Sequence, residues 1–407
     1  MATITWIGGT SAKYQTVTLT VGSSTVGHTF ITTMNGKAVT YTAVSGDTTT
    51  TIATNIAQLL NASQDGEFQK VNWTSSADVV TGRANTVGEP FTVSLSGTGT
   101  FTLNTTQANS SPNDAASTAN YSSGSLPVNS DTLIFEDVDI GVYWNLTSAL
   151  SGVTLTALRI RDTFTDGIGL PLYDTTGTEF REYRGTEFTL AGCTTLEVAL
   201  SSSATGGSFK FNTSSGQTAV KILGTDAGTL FDEYVQWRGT HASNTIDMVG
   251  GALAVAPYAA QTATFTTAQI KDASLRLGIG VTVTSIEMTN SSLDTRSSVP
   301  TLTMNGGTAV FRDATTITTA LIDAGTLDYR STGTITTLKL GSGATADFSN
   351  ITDPVTVTNC TMEEGSALVD PLRRVTFTNG IILNRTSMAG VTLDVGTHVT
   401  LTVAGGP

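Results

Sequence analysis

Three clusters in this 407-residue chain bring together side chains of types that could do chemistry. Glu136, Asp137 and Asp139 place carboxylates close in sequence, and paired carboxylates on one face can serve as acid and base in glycoside cleavage. Arg181, Glu182, Arg184 and Glu187 alternate in sign, a pattern that suits an exposed ion-pair network or an interface. Asp232, Glu233 and Tyr234, followed by Trp237, Arg238 and His241, form the densest mix of aromatic and polar groups. A sugar-binding face has this composition, because aromatic rings stack on sugar rings while polar groups fix the hydroxyls. A loop anchored in the fold, or a subunit contact, has it too. The Glu136–Asp139 cluster reads as a solvated strand edge.

Other chemistry fails on spacing. His28, His241 and His398 show neither H-x-H nor H-E-x-x-H, so no zinc site is expected. No D-x-D-x-D-G loop follows Asp137-x-Asp139, which argues against calcium. No G-x-S-x-G elbow pairs with a plausible histidine. The glycine-rich stretches lack the G-K-[ST] of a phosphate loop, and Gly167-Ile168-Gly169 has no third glycine at dinucleotide-binding spacing. Cys193 and Cys360 lie too far apart for a small disulfide framework and read as buried free thiols. The expectation is a protein with no catalytic residues, no cofactor and no metal.

The elements that must carry these residues are strands. Roughly one residue in five is Thr, and only 13% of residues are charged. The branched Thr Cβ is tolerated on a pleated surface and loses χ1 freedom in a helix. The 33 acidic residues outnumber the 20 basic ones, giving a net charge of −13. Neutralising nucleic-acid phosphates requires clustered Lys and Arg, and none is present, so neither nucleic acid nor an anionic membrane is an expected partner. The start MATITWIGGT has no basic n-region or apolar h-region, so no secretory signal is expected. No apolar run approaches the length of a membrane-spanning helix.

A repeat organises the C-terminal part. MVGGALAV from Met248 aligns with segments beginning at Ile270, Met288, Met304, Ile322, Leu340 and Met362, at steps of 22, 18, 16, 18, 18 and 22 residues. The first position is always apolar. The fourth is always small: Gly251, Ala273, Ser291, Gly307, Gly325, Gly343 and Gly365. A second apolar series, Val299, Ile317 and Ile335, keeps the 18-residue step. Alternation around each anchor has the period of a strand with one buried face. One coil of a solenoid per repeat accounts for all of this. Like positions stack, and the small residue marks a corner where a Cβ would crowd its neighbour or where φ is positive. Apolar residues do not recur every six positions, which favours a right-handed over a left-handed parallel β-helix. Residues 153–407 are assigned to it, with 109–152 as linker and cap.

Residues 11–108 read as an inserted α+β module of ββαβββ type. Asn35-Gly36 signals a hairpin. In TTTTIATNIAQLLNAS, Ile52, Ile56, Leu59 and Leu60 fit a helical stripe, with Asp47 or Thr48 as N-cap. The flanking segments, TITWIGG within residues 1–10 and Asn120-Tyr121 with Gly124, Pro127, Asp131, Leu133 and Phe135, resemble the opening of autotransporter-like and related bacterial β-helix repeats. In those repeats W-x-G-G leads directly into N-W-x-x-G-x-x-P-x-x-x-D-x-[VL]-x-F. Here tyrosine stands for the tryptophan, and the module separates the two halves of a solenoid cap.

The module's FITTMNGKAVTYTAVSGDT run, followed by a helix ending in LNAS, resembles small domains of tailed-phage structural proteins. WRGTHASNT and STGTITTL extend that likeness to uncharacterised phage proteins. The resemblance implies a virion component, made in the host cytoplasm and exposed on the particle surface. Within that class the expectation is a non-enzymatic capsid decoration or head-fibre-like protein, homotrimeric, with the major capsid protein or other virion subunits as partners. The alternative is a tail-associated, receptor-binding tailspike or adhesin that contacts surface glycans.

Overall fold

The computed structural model describes residues 1–169, 187–200, 209–224, 235–384 and 392–394. It is a mainly β protein built around a parallel β-solenoid of about ten turns, with a small α+β module near the N-terminus. Each coil contributes a strand to each of two parallel ladders. Thr245–Val249, for example, pairs with Ala263–Lys271, while Ala252–Val255 pairs with Ser274–Leu277. Pairing here skips one strand along the chain. Val281–Thr295, Thr301–Phe311 and Ile317–Tyr329 are instead long strands that serve both ladders and pair in succession. Both patterns stack coils and do not close a barrel.

The apolar anchors form one continuous interior row. Met248, Ile270, Met288, Met304, Ile322, Leu340 and Met362 are direct register partners in succession. The row extends backward through Ile222, Val198 and Ile160 to Phe135, and forward to Leu383. From Phe135 to Met362 every member is buried. Stacking like on like at the strand spacing removes each side chain from water on all sides, and each contributes about 1.5–3 kcal/mol. A second row runs through Leu133, Leu158, Leu196, Val220, Ile246 and Ala268.

The corner residues behave as the repeat requires, with one variation. Gly251, Gly307, Gly325, Gly343 and Gly365 all have positive φ. Where the fourth position is Ala273 or Ser291, the left-handed residue falls one place earlier, at Asp272 (φ 51°) and Asn290 (φ 47°). Asp and Asn tolerate this region better than other residues with a Cβ, so the chain turns there at little strain.

The module has its own core, formed by Val17, Leu19, Phe30, Ile56, Leu60, Trp73 and neighbouring residues. One sheet has the order Val71–Ser76, Val79–Ala84, Thr16–Val21, Phe101–Gln107, and the other Lys37–Thr42, Thr29–Met34, Ser94–Gly97. The Asn35-Gly36 hairpin is present, as Thr29–Met34 pairs with Lys37–Thr42 and both turn residues have positive φ. Helix α1 (Thr49–Ala62) is capped by Thr48, whose hydroxyl accepts from the Thr51 N–H in a capping box. It buries Ile52, Ala53, Ile56, Ala57 and Leu60. Leu59 is 40% exposed, because it sits at the flank of the stripe those residues define. The module also departs from ββαβββ: the hairpin makes three strands before α1, EFQ falls in a helical turn, and Val79–Ala84 adds a strand after it.

The first coil is assembled across the module. Thr3–Thr5 pairs in parallel with Thr132–Ile134. Trp6 packs edge-on against Tyr121 at 5.2 Å and lies 5.8 Å from Phe135, and its Nε1 donates to the Ile140 carbonyl. Asn120 is fully buried; its Oδ1 accepts from the Thr10 N–H, and its Nδ2 donates to the Ser111 and Asp114 carbonyls.

Asp131 locks the strand end, accepting the Ala2 N–H at 2.7 Å and the Val128 N–H at 3.0 Å. These two bonds hold its carboxyl below the usual carboxylate range. A depressed folded pKa contributes stability that is present above the unfolded value, about 4, and is lost as pH falls through the folded value. Acidification below pH of about 4 is therefore expected to speed amide exchange in Thr3–Thr5 while the Met248–Met362 row stays protected. Asp131→Asn should show the same loss at neutral pH. Unchanged Thr3–Thr5 protection in both experiments would refute the lock.

Candidate functional site

The cluster with the strongest sequence case for a ligand divides in the structure. Asp232, Glu233 and Tyr234 lie outside the described residues. Trp237, in the strand Val235–Arg238, points into the solenoid and is 1% exposed. Its ring takes its place in an interior row between Phe211 and Val255, and its Nε1 donates to Thr213 Oγ1 at 3.1 Å. A ring so placed has no face open to a sugar, so the glycan-stacking role considered for Trp237 is corrected to core packing.

Arg238 points outward and is clamped by Glu187 through Nε, at 3.1 and 2.8 Å to the two carboxylate oxygens, and through Nη2. These hydrogen bonds raise the guanidinium pKa further, so the group stays charged and engaged. His241 Nδ1 accepts the Ser243 N–H at 3.1 Å and shapes the turn after the strand. Trp237, Arg238 and His241 thus each hold the coil together. Asn244 ends the same turn and went unnoticed in the sequence. It is fully buried, with Oδ1 accepting from the Thr218 N–H at 2.7 Å and Nδ2 donating to the Thr264 carbonyl at 3.0 Å. It stitches its own coil to those before and after it. Its partners lie 26 and 20 residues away, and no local pattern announces them.

The remaining candidates are also placed by structure. Asp137 and Asp139 are exposed, and Asp137 takes a positive φ where the chain leaves Phe135. Of the alternating-charge cluster, Arg181, Glu182 and Arg184 lie outside the described residues, and Glu187 pairs with Arg238. His28 Nδ1 lies 3.4 Å from Ser23 Oγ, whereas His398 is outside the described residues. Ile168 bridges to Val142 and Phe209 in the interior, so the Gly167–Gly169 segment is a coil element. Among the described residues, no group of three or more His, Cys, Asp or Glu is placed to hold a metal ion. Among them, too, no helix is long and apolar enough to cross a membrane.

Cys193 and Cys360 are free and buried. Burial pushes both thiols up to about 12, because the thiolate would lose its hydration. Neither should react with a thiol reagent at neutral pH in the folded protein, and both should react after denaturation. Fast modification of the native chain would contradict this placement.

An outward feature does emerge where the repeat is shortest. Leu277, Thr295 and Phe311 are successive register partners, as are Ser285 and Thr301. The connection from Thr295 to Val299 spans four positions, against six from Leu277 to Val283 and six from Phe311 to Ile317. The short corner is recessed between its neighbours and leaves an open groove of about 470 Å³. Ile279, Val281 and Pro300 give it apolar walls, and Ser298 adds a hydroxyl. Arg296 and Asp313 pair across it at 2.6 Å, each about half exposed. Further pairs, Arg312–Asp294 and Arg330–Asp328, run along the same outer corner. Exposed pairs of this kind contribute at most about 1 kcal/mol each.

No family model matches the chain, and none of the curated proteins matches it in sequence.

Proposed function

We propose that this chain is a non-enzymatic structural protein of a tailed-phage particle, a capsid decoration or head-fibre-like subunit displayed on the virion surface. The observation that carries the reading is the use made of the side chains with chemical potential. Trp237, Arg238 and His241 serve coil packing and turn geometry, and the interior row from Phe135 to Met362 is unbroken packing. Such a solenoid supplies length, rigidity and flat outer faces. Those faces suit a homotrimer and contact with the major capsid protein or other virion subunits. The resemblance of the module and cap to phage and autotransporter-like sequences points the same way.

The test is to locate the chain in purified particles of the phage that encodes it, by mass spectrometry and electron microscopy. Density on the capsid lattice is the expected result, and absence of the chain from intact particles would sink the proposal. A second reading, a tail protein that contacts surface glycans, draws on the groove beside Arg296 and Asp313, where apolar walls and hydroxyls could receive a sugar. Density confined to the tail would favour that reading. So would glycan binding lost in Arg296→Ala, a change that leaves the buried rows untouched.

A further inference from the structure

Three asparagines in this chain are followed by glycine: Asn35, Asn305 and Asn379. Such a pair can react with itself, because glycine has no side chain to block its own nitrogen from approaching the asparagine Cγ. Closure needs freedom to turn about the asparagine Cα–C bond. It also needs a glycine N–H that can lose its proton to water. The three pairs meet those needs unequally.

Asn305 is clamped. It is the register partner of Thr289 in one neighbouring coil and of Ala324 in the other. Gly306 is buried, and a Cβ there would come within 2.5 Å of Asn290 Oδ1. Rotation at this pair would break two ladders. Asn379 is exposed but tied: its Nδ2 donates to Asn359 Oδ1 at 2.7 Å, and the Gly380 N–H donates to the Phe377 carbonyl at 3.2 Å. Asn35 and Gly36 form the tip of the module's hairpin, with φ of 45° and 76°. Both are exposed, and nothing lies within 4 Å of where a Gly36 Cβ would stand. The Met34–Lys37 pair closes the ladder, so the Gly36 N–H lies beyond it. Lys37–Thr42 is the outer strand of its sheet, and Lys37 and Ala38 are exposed, so the tip opens at low free-energy cost.

We propose that Asn35 is a self-modification site, at which the folded chain converts asparagine to isoaspartate and so loosens the strand Lys37–Thr42. On losing its proton, the Gly36 nitrogen attacks Asn35 Cγ. The Cγ–Nδ2 bond breaks and ammonia leaves carrying that proton, which closes a five-membered succinimide. Water then adds to either ring carbonyl. Attack at the former side-chain carbon gives aspartate in an ordinary backbone. Attack at the main-chain carbon gives isoaspartate, whose backbone runs through Cβ. Water is the only co-reactant, and no group is oxidised or reduced. The two products differ in effect. Aspartate tolerates a left-handed backbone much as asparagine does, so the turn survives. Isoaspartate inserts an extra backbone atom into a two-residue turn, and that turn sets the register of the strands it joins. The reaction involves the module alone and does not depend on the virion reading.

The full-length chain, held at mildly alkaline pH, tests this. Peptide mapping by mass spectrometry follows all three asparagines, and labelling by isoaspartyl methyltransferase measures the rearranged product. Asn35 should convert at least about tenfold faster than Asn305 and Asn379 in the folded protein. In the denatured chain the three rates should converge, because only the shared Asn-Gly sequence then acts. Amide exchange in Lys37–Thr42 should quicken in step with the isoaspartate fraction, while α1 and the Met248–Met362 row keep their protection. Freshly prepared Asn35→Asp adds the charge without the extra backbone atom, so its exchange in that strand should stay within about twofold of the parent. Conversion of native Asn35 no faster than that of Asn305 or Asn379 would overturn the site. Unchanged exchange in Lys37–Thr42 after conversion, or equal loosening in Asn35→Asp, would overturn the proposed effect of isoaspartate.

Discussion

Gly307→Ala should destabilise the central coils by more than about 4 kcal/mol, whereas Gly343→Ala, at the same position of the repeat, should cost only about 1 kcal/mol. Both glycines have positive φ, 89° at Gly307 and 84° at Gly343, so the conformational part of the penalty is shared. They differ in what a Cβ would meet. At Gly307 it would lie 1.9 Å from the Ser291 carbonyl oxygen and 2.5 Å from the Ser291 nitrogen, backbone atoms of the adjacent coil. At Gly343 nothing lies within 4 Å. Backbone cannot swing aside as a flexible side chain can, so the first variant must separate two coils or break their ladder. Solenoid stability is a sum of coil and neighbour terms, which makes hydrogen exchange within Val281–Thr295 and Thr301–Phe311 a better measure than one global melting point. Equal losses at the two glycines would show that φ alone explains the corner residues and that close coil approach does not.

That contrast shows how far the sequence could be read. A small residue three places after each apolar anchor marked one corner of every repeat, because stacking repeats one geometry and leaves a periodic trace. It did not separate a glycine that makes room from one that only permits a turn, since crowding depends on the coil beneath. Nor did it foresee the left-handed Asp272 and Asn290, where the turn shifts by one residue. The groove was present in the sequence as the single 16-residue step, but a step length does not say which corner is shortened. In the module, the strand Val79–Ala84 was hidden by Gly82 at its centre. Its register partner Trp73 explains that glycine, as a Cβ there would come within 2.4 Å of the indole ring. Long-range packing selected a residue that local propensity counts against a strand.

The cluster around Trp237 admitted both an anchored and a sugar-binding reading in the sequence, and a substitution there decides between the two. Tryptophan beside arginine and near acidic residues resembles an exposed recognition surface. The alternation Val235-Gln236-Trp237-Arg238 carried the contrary signal, since it places Val235 and Trp237 on one face of a strand. Both are 1% exposed. Trp237→Ala should therefore cost about 3–5 kcal/mol, the penalty for emptying a large buried site between Phe211 and Val255. It also strips Thr213 Oγ1 of the indole N–H. Trp237→Phe keeps most of the packing and loses that bond, so it should cost about 1–2 kcal/mol. Arg238→Ala removes a partly exposed pair and should fall below the tryptophan variant by several-fold. Denaturant unfolding ranks the three, and exchange in Phe209–Asn212 and Ala252–Val255 locates the damage. An exposed sugar platform predicts the reverse order: Trp237→Ala would keep wild-type stability and lose glycan affinity. Such an outcome would remove the main support for a scaffold, because the side chain best suited to ligand chemistry would then be free to perform it.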